Sequence, residues 1–386
     1  MFQALFNGLS GLFAFSQSLN VISNNVANMN TPGFRGSDSF FANLFEGDGA
    51  AVVGQGVSTQ EGSLQQTGNP TDVAISGQGF FILKDPQGNL YYTRAGQFQF
   101  NNQGYLVDTV YGYRVQAIDA NGNLTDINVA SFNTLPPQAT TTVQMTGNLS
   151  TQSPTDSVTG IQIYDAQGNA HTYTATFTNN TATTPGSWTV SITDSQGNVV
   201  TNGEIRFGTD GTPQTGYNTL TLNLTFQGTA QAVTFNFGTP GTLSGATQFS
   251  GTASNLAAQV QNGHSALPLT TESFDQNGVL QLTYSDGEKQ AGPQLALAYF
   301  ADESGLQQLQ GRLYSGNTTQ QRQIGRANQG VFGQISGGSL ELSNVNLTQE
   351  LAEMIVVQSG FQANSQVLTV ANSMLQQLYN STRPGG

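Results

Sequence analysis

The chain has 386 residues, 46 of them glycine and none cysteine; only 9% are charged, and the net charge is −13. An average soluble domain carries about 25% charged residues, so this surface is built from neutral Asn, Gln, Ser and Thr. The acidic balance excludes a nucleic-acid footprint. The absence of thiols excludes disulfides and thiolate metal sites, and His171 and His264 lie too far apart in sequence to suggest a histidine cluster. At about 150 residues per domain, the length fits two or three domains.

The start, MFQALFNGLSGLFAF, is apolar but has no basic residue before Arg35, and Gln3, Asn7, Ser10 and Gln17 break the run. Neither a cleavable signal nor a membrane-inserted segment is expected. Instead Phe2, Leu5, Leu9, Leu12, Ser16, Leu19, Ser23 and Val26 alternate in steps of three and four, the seam of a coiled coil. Phe6 and Phe13 widen it on one flank. Asn30-Thr31-Pro32-Gly33 stops the helix, because a residue before proline is pushed out of the helical region. Residues 35–70 then read as a Gly-rich connector, semi-ordered unless something packs on it.

From there the chain reads as β. Leu220, Leu222, Leu224 and Phe226 alternate with Thr and Asn, as do Val233, Phe235 and Phe237, and Leu280, Leu282 and Tyr284. A turn recurs as Asp-x-x-Gly-Asn at Asp85, Asp119, Asp165 and Asp194, with variants at Asn101 and Asp275. Asp accepts local backbone hydrogen bonds and Gly supplies positive φ, so these are hairpin closures. As a calcium loop the Asp119 segment fails: Leu124 stands where glycine belongs, and Ala130 where the bidentate Glu belongs.

The C-terminus is helical again. Leu347, Met354, Phe361, Leu368 and Leu375 recur every seven residues, with Leu351 and Tyr379 on the adjoining column and a second apolar strip at Val356, Val367, Val370 and Met374. Asn346 and Gln349 resemble a capping box, and Arg383-Pro384-Gly385-Gly386 ends the helix. No charge occurs from Met1 to Phe34 or from Met354 to Thr382. Coiled-coil flanks normally carry Glu and Lys; uncharged flanks suit dense burial among other helices, where an ion would cost several kcal/mol. A membrane-surface helix would favour cations instead.

The fold class is therefore mixed, with α-helical coiled-coil termini and mainly-β discontinuous domains, one β-domain inserted into another. The terminal helices fall in 1–34 and 343–386, the connector in 35–70, the discontinuous β core in 71–145 and 268–342, and the inserted β-domain in 146–267. No Gly-Lys pair, H-E-x-x-H or G-x-S-x-G occurs, and Gly77-Gln-Gly79 completes only two of the three dinucleotide glycines. No enzyme, cofactor, catalytic residue or metal site is expected. A surface adhesin or fibre-type β protein is the competing class.

Several motifs carry a resemblance. Asn24, Asn25, Ala27, Asn28, Thr31, Gly33 and Phe34 fall in a stretch similar to the N-terminal signature of the bacterial flagellar rod and hook family. Asp72, Val73, Ala74, Ile75, Gly77, Gly79, Phe80 and Phe81 resemble its first core-strand motif, followed by Tyr92-Thr93-Arg94-Ala95-Gly96-Gln97-Phe98. Ser343-Asn344-Val345-Asn346-Leu347, with Glu353-Met354-Ile355 and Phe361-Gln362-Ala363-Asn364, resembles its C-terminal motif.

The resemblance implies an axial structural subunit whose terminal helices line the inner wall of an open helical tube, with the β-domains outward. Phe2, Leu5, Leu9, Leu12, Leu19 and Val26 would serve assembly on one helix, and Leu347, Leu351, Met354, Phe361, Leu368 and Leu375 on the other. The length favours the hook end of the family, a flexible coupling that passes torque to the filament, over the shorter rod members; the distal rod protein is the nearest rival. Implied partners are copies of itself, the distal rod protein, the hook cap protein and the hook–filament junction protein. Export would run through the flagellar type III apparatus without a cleaved signal, to an extracellular place in the flagellum. The helices are expected to be disordered in the monomer and to fold on assembly.

Overall fold

The computed structural model describes residues 2–43, 49–260, 262–301, 303, 306–309, 312–316 and 322–382. Residues 383–386, expected to end the second helix, lie outside them. The chain divides into two compact units: Met1–Phe132 with Thr270–Thr283 and Gly287–Gly386, and Asn133–Leu269 with Tyr284–Asp286.

The first unit holds both helices. α1 (Phe2–Ala27) and α2 (Leu347–Thr382) run antiparallel, since Gly8 adjoins Leu368, Gly11 adjoins Asn364 and Asn25 bonds Glu350. Past Ala27 the chain turns through Asn28–Pro32 to Gly33, whose φ of 70° is the left-handed value that only glycine adopts freely. At α2, Asn346 Oδ1 accepts from the amides of Thr348 (3.0 Å) and Gln349 (3.4 Å), a side-chain cap. The expected box is only half made, because the Gln349 amide turns to Glu353 (3.0 Å).

The segment 35–70, expected as a glycine-rich connector that orders only where something packs on it, carries a hairpin packed on α1. Ser37–Asn43 (β1) and Ala50–Val57 (β2) form an antiparallel hairpin with a bulge between Phe40 and Phe41, lying against α1 with the Phe41 ring 5.9 Å from Phe15. Some of the segment's glycines mark close packing, since a Cβ on Gly56 would meet the Phe40 ring at 2.5 Å, while Gly54 and Gly68 stand in open space. Farther on, Leu64–Gln66 pairs with Ser339–Glu341, and Val73–Ser76 with Gln334–Gly337.

The main sheet of this unit runs Val279–Tyr284, Lys289–Phe300, Arg114–Ile118, Phe80–Lys84, Leu90–Thr93, Tyr314–Gly316 and Leu306–Gln308, with Arg322–Arg326 also along Lys289–Phe300. Phe80, Tyr92, Phe300 and Tyr314 are buried in it and meet edge-on at 4.8–6.0 Å between ring centres, the arrangement that ring quadrupoles favour.

The second unit packs two sheets. One is the antiparallel run Thr155–Tyr164, Ala170–Asn179, Ser187–Thr193 and Val199–Arg206; the other joins Thr219–Phe226, Thr229–Asn236, Thr142–Asn148 and Ala246–Thr247, with Ala257–Val260 beside Thr142–Asn148. Trp188 is fully buried among Val143, Phe177, Leu222, Phe235 and Phe237. Strict alternation makes these strands one-sided: Leu222 and Leu224 point inward, while Thr221, Asn223 and Thr225 stand in solvent. The boundary expected at 145/146 falls inside the strand Thr142–Asn148, because Val143 and Met145 are core residues of this unit.

The recurring turn has one geometry. At Asp119, Oδ1 accepts from the amides of Asn121 and Asn123, both at 2.8 Å, while Asp119 N donates to Asn123 O (3.0 Å). The same bonds recur at Asp85, Asp165 and Asp194, with Asn101 and Asp275 following suit. The closing glycines have φ between 72° and 92°. Backbone and side-chain hydrogen bonds from Asn123 hold the Asp119 carboxyl below its ordinary value, and hydrogen bonds from Asn198 do the same for Asp194.

Candidate assembly surface

The helix pair is closed by small residues. The buried residues of α1 are Gly8, Gly11, Ala14, Ser18, Val21, Ile22 and Asn25, mostly three or four apart, with Phe15 half-buried beside them. A Cβ on Gly8 would meet Leu368 Cγ at 3.2 Å, one on Gly11 would overlap the Asn364 amide, and one on Gly360 would meet Phe15 Cζ at 2.5 Å. Mid-helix glycine costs about 1 kcal/mol relative to alanine, and here it permits the close approach. The facing column of α2 is Glu350, Val357, Asn364 and Ala371, set between Met354, Leu368 and Leu375.

The residues expected to serve assembly are placed differently. Phe2 and Leu9 are exposed at 79% and 47%, and Leu5, Leu12, Leu19 and Val26 are half-buried. Phe6 and Phe13 extend Phe2 and Leu9 into an outward apolar stripe. On α2, Met354, Leu368 and Leu375 are half-buried, whereas Leu347, Leu351 and Phe361 are exposed. The second strip, Val356, Val367, Val370 and Met374, is exposed throughout. Phe2, Gln3, Leu5, Phe6, Leu9 and Leu368 line an open apolar cleft of ≈ 740 Å³. Among the described residues no helix is long and apolar enough to cross a membrane.

The N-terminal motif fastens α1 at its base. Asn25, buried, donates to Ser37 O (2.9 Å) and Glu350 Oε1 (3.0 Å) and accepts from Ser37 N (3.0 Å), joining α1, β1 and α2. Asn28 donates to Asn24 O (2.9 Å), and Thr31 donates to Asn28 Oδ1 (3.2 Å). Ala27 is the last residue of the helix and is exposed. Gly33 N donates to Glu341 O (2.8 Å), a Cβ there would overlap the Ala95 backbone, and Phe34 is fully buried.

The core-strand motif surrounds one cation. Arg94, with no exposed side-chain area, donates through Nε to Glu341 Oε2 (2.6 Å), through Nη1 to Gly77 O (2.9 Å) and Gly79 O (2.6 Å), and through Nη2 to Ile75 O (3.0 Å). Gly77 and Gly79, at φ 107° and 124°, turn those carbonyls inward. Burial pulls the Arg94 guanidinium below its ordinary pKa, with Glu341 opposing. Asp72 accepts from Thr67 (2.7 Å) and Asn69 (3.2 Å), Val73, Ala74 and Ile75 are fully buried, and Phe81 meets Phe98 edge-on at 5.2 Å beside buried Phe80. Glu341 also accepts from Gly62 N (3.0 Å) and lies 3.9 Å from Arg35, which pairs with Glu303 at 3.3 Å. Burial pushes the Glu303 carboxyl up and drives the nearby Tyr314 hydroxyl to about 12.

Asn344, in the C-terminal motif, accepts from Gly36 N (2.8 Å) and donates to Gln60 O (2.8 Å). Sequence reasoning missed this clamp, the Arg94–Glu341 pair and the glycine seam. The available signal for the seam was Gly8 and Gly11, three apart inside a helical pattern.

Family models match the chain in four blocks: flagella basal body rod protein (5–35), flagellar hook protein FlgE/F/G D1 domain (74–151), flagellar basal body protein FlaE D2 domain (148–324) and flagellar basal body rod FlgEFG protein C-terminal (336–381). The chain is 31% identical to the flagellar hook protein FlgE of Salmonella typhimurium, covering 96% of this chain and 98% of that one. Against the hook protein FlgE of Treponema pallidum it is 30% identical, over 99% and 100%. The crystal structure of Helicobacter pylori flagellar hook protein FlgE2 shares the fold at TM-score 0.52 and 14% identity, covering 72% of this chain and all of that one. The chain belongs to the flagellar hook protein FlgE family.

Proposed function

We propose that this protein is the structural subunit of a bacterial flagellar hook and polymerises through its terminal helices into an open, curved tube that couples motor torque to the filament. One observation carries the reading: the helix pair turns large apolar side chains outward, Phe2, Phe6, Phe13, Ile355, Val356 and Val370, with no charge among them. Burying each is worth roughly 1.5–3 kcal/mol, and only other copies supply enough uncharged helix surface. A patch that meets a different surface on its neighbour gives a rotation that does not close, hence a helical polymer. The inward steps of three and four support coiled-coil packing, and the second unit serves as the inserted outer domain. Its neutral polar faces suit small wet contacts that slide as the tube bends. The distal rod protein below, the cap protein during growth, the junction protein above and type III export to the extracellular flagellum complete the proposal.

Electron microscopy of concentrated protein tests it. Curved tubes with a central channel are expected; closed trimers would support a fibre-type protein instead.

A further inference from the structure

At the base of the helix pair Val21, Ile22, Asp38, Phe41, Glu353 and Val356 line a pocket of ≈ 450 Å³. Asp38 and Glu353 bring anionic oxygens to a wall that also carries Ser18, Ser37 and Ser39, and Glu350 lies close enough to feel both charges, 8% exposed, with Oε2 buried and unpartnered. Among the described residues none of these three carboxylates has an ion-pair partner. Burial and mutual repulsion push Asp38 and Glu350 above their ordinary values, the mark of a site short of positive charge.

The helices cannot supply that charge locally. Residues 2–34 and 347–382 contain no Lys or Arg, and Arg35, Arg94 and Arg312 are buried and paired elsewhere. Arg383 follows directly on the last described residue of α2. Thirty-six helical residues span about 54 Å, so Thr382 lies at the end of α2 opposite the pocket, and a residue bonded to it cannot reach the pocket within one copy.

We propose that the pocket receives the C-terminal segment of a second copy, with that copy's Arg383 set against Asp38 and Glu353. The inference rests on the assembly reading above and assigns the axial contact within it. Copies that advance along their own helix axes bring the tail of one α2 to the base of the next, and the opposite charges fix that register. An uncharged helix wall gives adhesion without register, so the two ends carry the specificity.

The test uses the full-length chain. Arg383→Glu and Glu353→Arg are each expected to raise the critical concentration for tube formation at least tenfold, and the combined swap to return it to within about threefold of the parent. Lys289→Glu, which reverses another exposed cation, is expected to change nothing. The cysteine-free background permits a second readout: oxidised co-assemblies of Glu353→Cys copies with Arg383→Cys copies should give a mixed disulfide dimer. The inference is overturned if Arg383→Glu assembles like the parent, if Lys289→Glu has the same effect, if assembly responds to EDTA but not to Arg383→Glu, or if no mixed dimer forms inside tubes. A parent that forms no tubes at all removes the assembly reading itself.

Discussion

Arg94 Nε lies 2.6 Å from Glu341 Oε2, with both side chains wholly withdrawn from solvent. The pair ties the turn before Phe80 to the strand that leads into α2, and so joins two stretches of chain far apart in sequence. Removing one partner leaves an uncompensated buried ion. Arg94→Met is expected to cost about 3–5 kcal/mol of unfolding free energy. The double variant Arg94→Met/Glu341→Met should cost clearly less. Urea unfolding followed by circular dichroism decides; equal losses would mean that the pair is not what holds this junction.

The glycine seam gives a different signature. Gly11→Leu forces α1 away from Asn364, and overpacking of this kind costs about 1–3 kcal/mol. The helical circular dichroism signal should melt earlier. The single tryptophan, Trp188, lies in the core of the second unit, so its fluorescence transition should stay where it was. Loss of both signals together would show that the side chain disturbs more than the seam.

Leu12→Asp, at a half-buried position of α1, and Phe361→Asp, on the exposed face of α2, are expected to yield folded monomers that form no tubes, since assembly would bury an unpaired carboxylate. In the same monomers, and in the parent before assembly, limited proteolysis should trim 2–34 and 347–382 before the β units. Normal tubes from either variant, or helices uncut in the free parent, would contradict the role given to these faces.

Acid should act in opposite directions on the helix pair and on the Asp-closed hairpins. Asp194, held low by Asn198, and Asp119, held low by Asn123, stabilise their hairpins fully above the ordinary value of 3.8, and that support is lost as pH falls through their depressed pKa values. Asp38 and Glu350 are raised, so their ionisation costs stability at neutral pH, and that stability returns as pH falls through their raised values toward 3.8 and 4.5. Helix melting should therefore move up as pH falls from neutrality toward 4.5, and the Trp188 transition, which reports the unit that holds Asp194, should move down only below about 3.8. A helix signal that weakens from pH 7 downward would reverse the assignment at Glu350.

Gln138 and His264 exchange backbone hydrogen bonds at 3.1 and 3.0 Å, so the two passages of chain at the foot of the second unit are adjacent. Replacing 139–263 with a short glycine linker is expected to leave assembly intact and to change the curvature of the tubes seen by electron microscopy. Tubes of parental shape would exclude a bending role for this unit.

Periodicity made much of this architecture legible. Leu222 and Phe235 declare their strand faces by alternation, Leu368 declares a helix face by sevens, and the Asp119 turn follows from two residue types at fixed spacing. Contacts between distant segments leave no such period. Nothing near Arg94 marks Glu341 as its partner, and nothing near Asn25 marks Glu350. The connector hides its packing for a related reason: Gly56 looks like slack until the Phe40 ring is seen beside it, because a glycine kept for space and one kept for freedom read alike. Large apolar residues likewise draw attention to Leu9 and Leu12, while the helix pair closes over Gly8 and Gly11.

Asp85 also accepts from Tyr91, Asp119 O accepts from Arg326 and Asp165 bonds His171, but the five-residue closure at Asp194 answers its side-chain hydrogen bonds within itself. Such a corner is a portable cassette: it can be transplanted between hairpins, or its two middle positions recoded with foreign side chains, without renegotiating anything beneath it. That leaves the rim of the protein free to diversify against its surroundings while the scaffold stays put.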